Sequence, residues 1–182
     1  MPRNQKKKNT LYTIGHSTRT FGEFIDLLKA HNIREIIDVR TIPRSRHNPQ
    51  FNEKIIQCSL QKVGMDYLHL AELGGLRHTT LDSKNLGWHN TSFRGFADYM
   101  GTPEFEKGIG LLKRIAKKEK TAIMCAEAVP WRCHRSLIAD ALTKQRWGVF
   151  HIMNLKTACK HRLTPFLKMQ QGKLTYPIPK IY

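Results

Sequence analysis

The chain has 182 residues, with 31 Lys and Arg against 14 Asp and Glu and a formal net charge of +17. That length lets one domain bury a core without disulfides or metals, and the charge points to anionic partners, nucleic acid or a nucleotide first, with plain solubility as the competing explanation. Four cysteines, Cys58, Cys125, Cys133 and Cys159, form no C-x-x-C pair, which excludes a zinc ribbon and a disulfide-dense secreted scaffold, and no stretch of about 18 apolar residues exists to span a membrane.

Residues 1–10 are basic and read as a flexible, solvated head, leaving 11–182 as a single α/β domain. The head leads into "TLYTIGHS" without a continuous apolar core of the secretory type, so a soluble, cytoplasmic protein is expected, its thiols reduced. "LYTIGHS" reads as a first strand ending in a glycine turn. Thr20 and Glu23 then have the spacing of a capping box, and Phe21, Phe24, Ile25 and Leu28 recur at helical intervals up to Asn32. "EIIDV" is a second strand, apolar enough to be buried on both faces. A helix is predicted over 52–63, stopped by Gly64, and "DYLHL" is the third strand. A long glycine-punctuated excursion follows, with a short helix near 93–100; excursions of this length usually serve function or move. Thr102 and Pro103 open the next helix in cap-then-proline order. "TAIMCAE" is the fourth strand, 132–146 a helix and "GVFHIM" the fifth strand, after which Gln171, Gly172 and Lys173 mark a turn in a small C-terminal extension.

Alternating strands and helices predict a mainly parallel, five-stranded sheet with helices on both faces, a Rossmann-like three-layer arrangement. Ligands of such sheets bind outside the carboxyl ends of the strands. There the chain delivers Gly15, His16 and Ser17 from the first strand and Asp38 and Arg40 from the second. The third supplies His69 and Glu72, the fourth Cys125 and Glu127, and the fifth His151. Polar residues thus converge on one edge.

The densest stretch is "IMCAEAVPWRCHRSLIADAL". Cys133, His134 and Arg135 fall in the predicted first turn of the helix that begins near Arg132. Free backbone N–H groups and arginines there favour an anion and lower a thiol pKa. In an enzyme, Cys125 is the possible nucleophile, Glu127 or His134 the acid or base, and His16 and Asp38 complete the catalytic set. Ser17, Arg40, Gly74, Gly75, Arg132, Cys133 and Arg135 would hold the ligand. The alternative is a non-enzymatic nucleic-acid-binding module in which the same groups clamp a phosphate backbone. Single residues keep plainer readings too. His16 and Ser17 can be a capped turn, Asp38 and Arg40 a structural ion pair, Cys125 core, and Gly74 and Gly75 merely a tight backbone. Trp88, Phe93, Phe96 and Tyr99 pack a lid or stack bases.

"TIGHS", "IIDVRTIPRS", "YLHLAELGG", "MCAEAVPWRCHR" and "HI", in this order, resemble the domain of unknown function 488 family, as do "HRLTP" and "GKLTYP" at the end. The resemblance reaches from about residue 13 to 177. It implies a compact α/β domain and assigns no activity. Phosphatase and rhodanese-like loops need cysteine and arginine on one tight turn, whereas six residues separate Cys125 from Arg132. Walker and G-x-G-x-x-G motifs are absent. Cys125, Cys133 and His134 could bind zinc with His16 or His151, but the spacing demands no metal and none is assigned. No cofactor is required by the sequence, and it does not specify an oligomeric state.

Overall fold

Five strands pair in parallel, because the first four are each followed by a connection long enough to cross over a sheet face. The computed structural model describes residues 9–179. Its sheet contains β1 (Thr10–Gly15), β2 (Glu35–Asp38), β3 (Asp66–His69), β4 (Thr121–Cys125), β5 (Gly148–Ile152) and β6 (Ala158–Lys160), in the order β3-β2-β4-β1-β5-β6. The sheet is therefore six-stranded rather than five-stranded, with β6 running antiparallel beside β5. Three residues that are largely exposed carry no periodicity, which is why β6 does not show in the sequence. The first eight residues of the basic head lie outside the described residues, and Thr10, assigned to that head, already belongs to β1.

The helices are α1 (Phe21–Ala30), α2 (Glu53–Lys62), α3 (Thr91–Tyr99), α4 (Pro103–Lys118) and α5 (Arg135–Lys144). Local chemistry sets their starts. Thr20 and Glu23 close the capping box of α1, Asn90 accepts from Ser92 and Phe93 at α3, and Thr102 accepts from Phe105 ahead of Pro103 at α4. One apolar cluster joins Phe24, Leu28, Ile56 and Leu60 of α1 and α2 to Ile14, Ile36, Ala122 and Met124 of the sheet. The other joins Phe96, Ile109, Leu112, Leu137 and Ile138 of α3, α4 and α5 to Leu11, Ile37 and Ile123. Neighbouring strand residues alternate between the two clusters, so both sheet faces are covered. Each large aliphatic side chain fully buried this way contributes about 1.5–3 kcal/mol.

The helix expected from Arg132 starts three residues later. Pro130–Arg132 forms a 3-10 turn and Cys133 is extended (φ −138°, ψ 144°), so Cys133 and His134 precede α5 rather than lying in its first turn. The C-terminal hairpin pairs β7 (Lys168–Gln170) with β8 (Lys173–Thr175). Gln171 (φ 50°) and Gly172 (φ 76°) make its tight turn, both left-handed as two-residue hairpin loops require. Among the described residues no helix is long and apolar enough to cross a membrane.

Topology also positions a crevice. From β1 the chain goes through α1, on one face, to β2; from β4 it goes through α5, on the other face, to β5. Adjacent strands β1 and β4 thus send their crossovers in opposite directions, and at such a switch point the loops part to leave a cleft.

Candidate functional site

Gly15 pairs in register with Cys125 at the carboxyl ends of β1 and β4. A Cβ on Gly15 would overlap the Glu127 carbonyl, so only glycine lets the two strand ends approach this closely. Beyond that point His16 N–H donates to Cys125 O (2.9 Å) and Ser17 N–H to Ala126 O (2.8 Å), with Ser17 left-handed at φ 48°. The two loops are zipped together where the cleft begins.

Asp38 is completely buried at the end of β2, where an unpaired carboxylate would be costly. Arg40 meets it with a two-pronged grip, Nε to Oδ1 at 2.9 Å and Nη2 to Oδ2 at 2.5 Å, and the Tyr67 hydroxyl donates to Oδ2 at 2.8 Å. Arg40 Nη2 also donates to Phe51 O (2.7 Å), and Nη1 lies 3.4 Å from His16 Nε2. His16 donates from Nδ1 to its neighbour's carbonyl, Ser17 O (2.8 Å), and stacks on Phe51 with ring centroids 4.3 Å apart. Nε2 is therefore the unprotonated nitrogen. Burial pushes the His16 pKa below the ordinary imidazole range; the Ser17 carbonyl opposes this and Arg40 adds to it.

On the other side of the cleft His134 Nε2 donates to Val39 O (2.9 Å), since a carbonyl can only accept. Its Nδ1 lies 3.7 Å from Cys133 Sγ. Arg135, almost fully buried, donates from Nε to the same sulfur (3.3 Å) and from Nη2 to Glu127 O. Burial works against a Cys133 thiolate, but the Cys125 thiol, His134 and Arg135 outweigh it and hold the Cys133 pKa well below the ordinary thiol value. Cys125, hydrogen-bonded to Cys133, is pushed well above it, with burial adding to the rise. The two sulfurs thus divide the roles of thiolate and thiol.

These groups surround a cavity of about 380 Å³. His16, Arg40, Gly75, Cys125, Glu127, Arg132, Cys133 and His134 line it. Asp38 and Arg135 stand behind its wall, holding Arg40 and Cys133, while Gly74 packs against Thr41 and Ser17 serves the turn. Gly75 has a specific reason to be glycine: a Cβ there would lie 2.5 Å from His134 Nδ1. Sequence reasoning missed Thr41, Ile42, Arg44, Ser45, Leu76 and Ser92, which also line the cavity, and Tyr67 behind Asp38. Arg44 and Ser45 lie in the "TIPRS" stretch directly after Arg40, and that short basic run past a strand end was the available signal. A second hollow of about 460 Å³ adjoins the first, sharing Phe93, Glu127 and Arg132 and adding Trp88, Asn90 and Trp131. Trp131 is 64% exposed.

The third and fifth strands do not contribute as expected. His69 Nε2 donates to Arg40 O (2.7 Å), bracing the loop from behind, and Glu72 supplies a carbonyl to the Tyr99 hydroxyl. His151 joins a different network with His161 and Asp140.

No curated protein and no solved structure matches the chain. A family model described as a domain of unknown function, DUF488, matches residues 20–142, which take in Asp38, Arg40, both glycines and the whole Cys125–Arg135 segment but not His16 or Ser17. With well over half of its length matched, the chain belongs to the DUF488 family.

Proposed function

We propose that the crevice between β1 and β4 binds a phosphate-bearing ligand, a nucleic acid or nucleotide, within a Rossmann-like three-layer frame in a reducing, cytoplasmic setting. The observation that carries this reading is the convergence of Arg40, Arg44 and Arg132 from two separate loops on one cavity at the switch point. Arg40 is anchored by Asp38 and supplies fixed positive charge at the cavity wall. Arg44 and Arg132 are exposed and form no ion pair among the described residues, so both can take phosphate oxygens. The exposed Trp131 beside Arg132 offers a stacking face for a base, and the overall +17 charge brings polyanions to it. Glu127 and His16 are the groups placed to exchange protons with a bound ligand.

Fluorescence anisotropy with a labelled single-stranded oligonucleotide, and with a labelled nucleotide, tests this at a series of salt concentrations. Affinity is expected to fall steeply with salt. Arg44→Ala and Arg132→Ala should each flatten the log–log slope by roughly 0.7 for a single strand, and Trp131→Ala should weaken binding by about tenfold. Affinity indifferent both to salt and to the two arginines would overturn the reading.

A further inference from the structure

We propose that Cys125, Cys133 and His134 form a zinc site with its fourth coordination position open to the cavity. The ligand atoms of these three residues all lie within 4.8 Å of one another, and among the described residues no other His, Cys, Asp and Glu group of three or more does so. Cys133 Sγ and His134 Nδ1 are 3.7 Å apart. Zinc bound tetrahedrally at about 2.3 Å from sulfur and about 2.0–2.1 Å from nitrogen requires its ligand atoms to be roughly 3.5–3.8 Å apart; the Cys133–His134 separation already meets this, and the separations to Cys125 Sγ need shorten by no more than about 1 Å.

The support around the triangle is that of a built site. His134 is oriented by its hydrogen bond from Nε2 to Val39 O, which fixes the tautomer and leaves Nδ1 to coordinate; this is the outer partner that metal-bound histidines ordinarily have. Arg135 donates to Cys133 Sγ, as outer-sphere donors do to zinc-bound thiolates, and also grips the Glu127 carbonyl, tying the loop between the two cysteines. Gly75 keeps the approach to Nδ1 clear, since a Cβ there would press on the ring. The donor set of two sulfurs and one imidazole suits zinc and excludes magnesium and calcium, which require oxygen ligands.

Charge is consistent with this. Metal binding releases the Cys125 proton, the two thiolates then neutralise the divalent ion, and Arg132 on the rim keeps the open position attractive to an anion. Three protein ligands with one open position are the arrangement of catalytic rather than structural zinc. The proposal stands apart from the phosphate reading, because metal uptake and oligonucleotide binding are measured separately and either can fail alone.

The test uses the full chain, purified under reducing conditions, stripped with a chelator and titrated with Co²⁺ and then Zn²⁺. Expected are one ion per chain, thiolate-to-cobalt charge-transfer absorption with the strong visible bands of a tetrahedral ion, and displacement of that spectrum by Zn²⁺. Cys125→Ser, Cys133→Ser and His134→Ala should each lower Zn²⁺ affinity at least 100-fold, whereas Cys58→Ser and Cys159→Ser, at exposed cysteines outside the cluster, should leave it unchanged. Because a cluster variant can misfold, alkylation of the parent chain supplies a second reading: Zn²⁺ should shield Cys125 and Cys133 while Cys58 and Cys159 stay reactive. Absence of the cobalt spectrum, binding that survives loss of both cluster cysteines, or equal alkylation with and without zinc would overturn the site.

Discussion

Within the half of the protein that holds α5, Thr13 donates to His151 Nδ1 (2.7 Å), His151 Nε2 to His161 Nδ1 (2.9 Å) and His161 Nε2 to Asp140 Oδ1 (3.0 Å). Asp140, completely buried, also accepts from Thr164 N–H and hydroxyl and from the Tyr176 hydroxyl. Every donor in this chain points at an acceptor inside it, and the direction of donation follows from the carboxylate at its end. At the crevice the polar groups are just as crowded, but the closure is partial. Asp38, Arg135 and Val39 O fix Arg40, Cys133 and His134 from behind, while His16, Cys125, Cys133 and His134 also line a cavity. Both regions are buried, histidine-rich and attached to β1 or its neighbours. The lesson is that a network satisfied from end to end holds the fold, and one braced on a single side presents groups to a ligand.

The largest expected effect breaks the closed network. Asp140→Ala strips the acceptor from four donors and should destabilise the protein by about 3–5 kcal/mol, whereas Arg132→Ala on the open side should change stability by no more than about 0.5 kcal/mol. Urea unfolding of both variants measures this, and equal losses would erase the distinction between the two regions. Next comes Gly75→Ala, which forces its Cβ against His134 and should cost about 1–3 kcal/mol while abolishing the site's ligand binding. Gly22→Ala, whose Cβ would meet nothing within 4 Å, is the control and should stabilise α1 by up to about 1 kcal/mol.

A third prediction concerns His151, whose pKa is depressed to about 3 by burial first and by His161 second. Between that value and the ordinary 6.5, the unfolded chain binds a proton that the native state refuses. Stability should therefore fall as pH drops through this window, by up to about 1.4 kcal/mol per pH unit from this group. His151→Gln should remove that part of the slope in urea midpoints measured from pH 7 downward; an unchanged slope would mean the closed network accepts the proton.

The smallest effect belongs to the far end of the sheet. There burial, with Asp66 and Glu119 nearby, raises the Glu35 pKa to about 7. Its proton is retained on folding, so the native state loses stability as pH rises from about 4.5 through 7. Glu35→Gln should raise the melting temperature in alkaline buffer by an amount worth under about 1 kcal/mol after solvent screening, and the gain should vanish below about pH 4.5. A gain that persists in acid would point to packing rather than charge.

Much of the framework could be read from residue order because it rests on local rules. The capping box at Thr20 and Glu23, the cap-then-proline start at Thr102 and the unbroken apolar run of β4 each announce an element within a few residues. The site was legible only as a set of residue types at strand ends. Arg44 and Ser45 stay hidden in the sequence because no period marks a loop residue, and the start of α5 is legible only to within a turn because nothing local distinguishes an extended Cys133 from a first helical residue. The sequence alone groups His151 with the other strand-end residues, because alternation along a strand does not say which neighbour a polar side chain will find.

By itself, then, the sequence determined the alternation of strands and helices, the strong net positive charge and the short list of chemically able residues, since these follow from periodicity, composition and residue chemistry within short windows. Only the tertiary structure decided that β1 and β4 lie side by side, that Cys133 rather than Cys125 is the sulfur held by His134 and Arg135, and that Gly75 crosses the face of His134. Those facts depend on strand order and on contacts between segments tens of residues apart. Such contacts are selected by the packing of the whole core, and no local pattern encodes them.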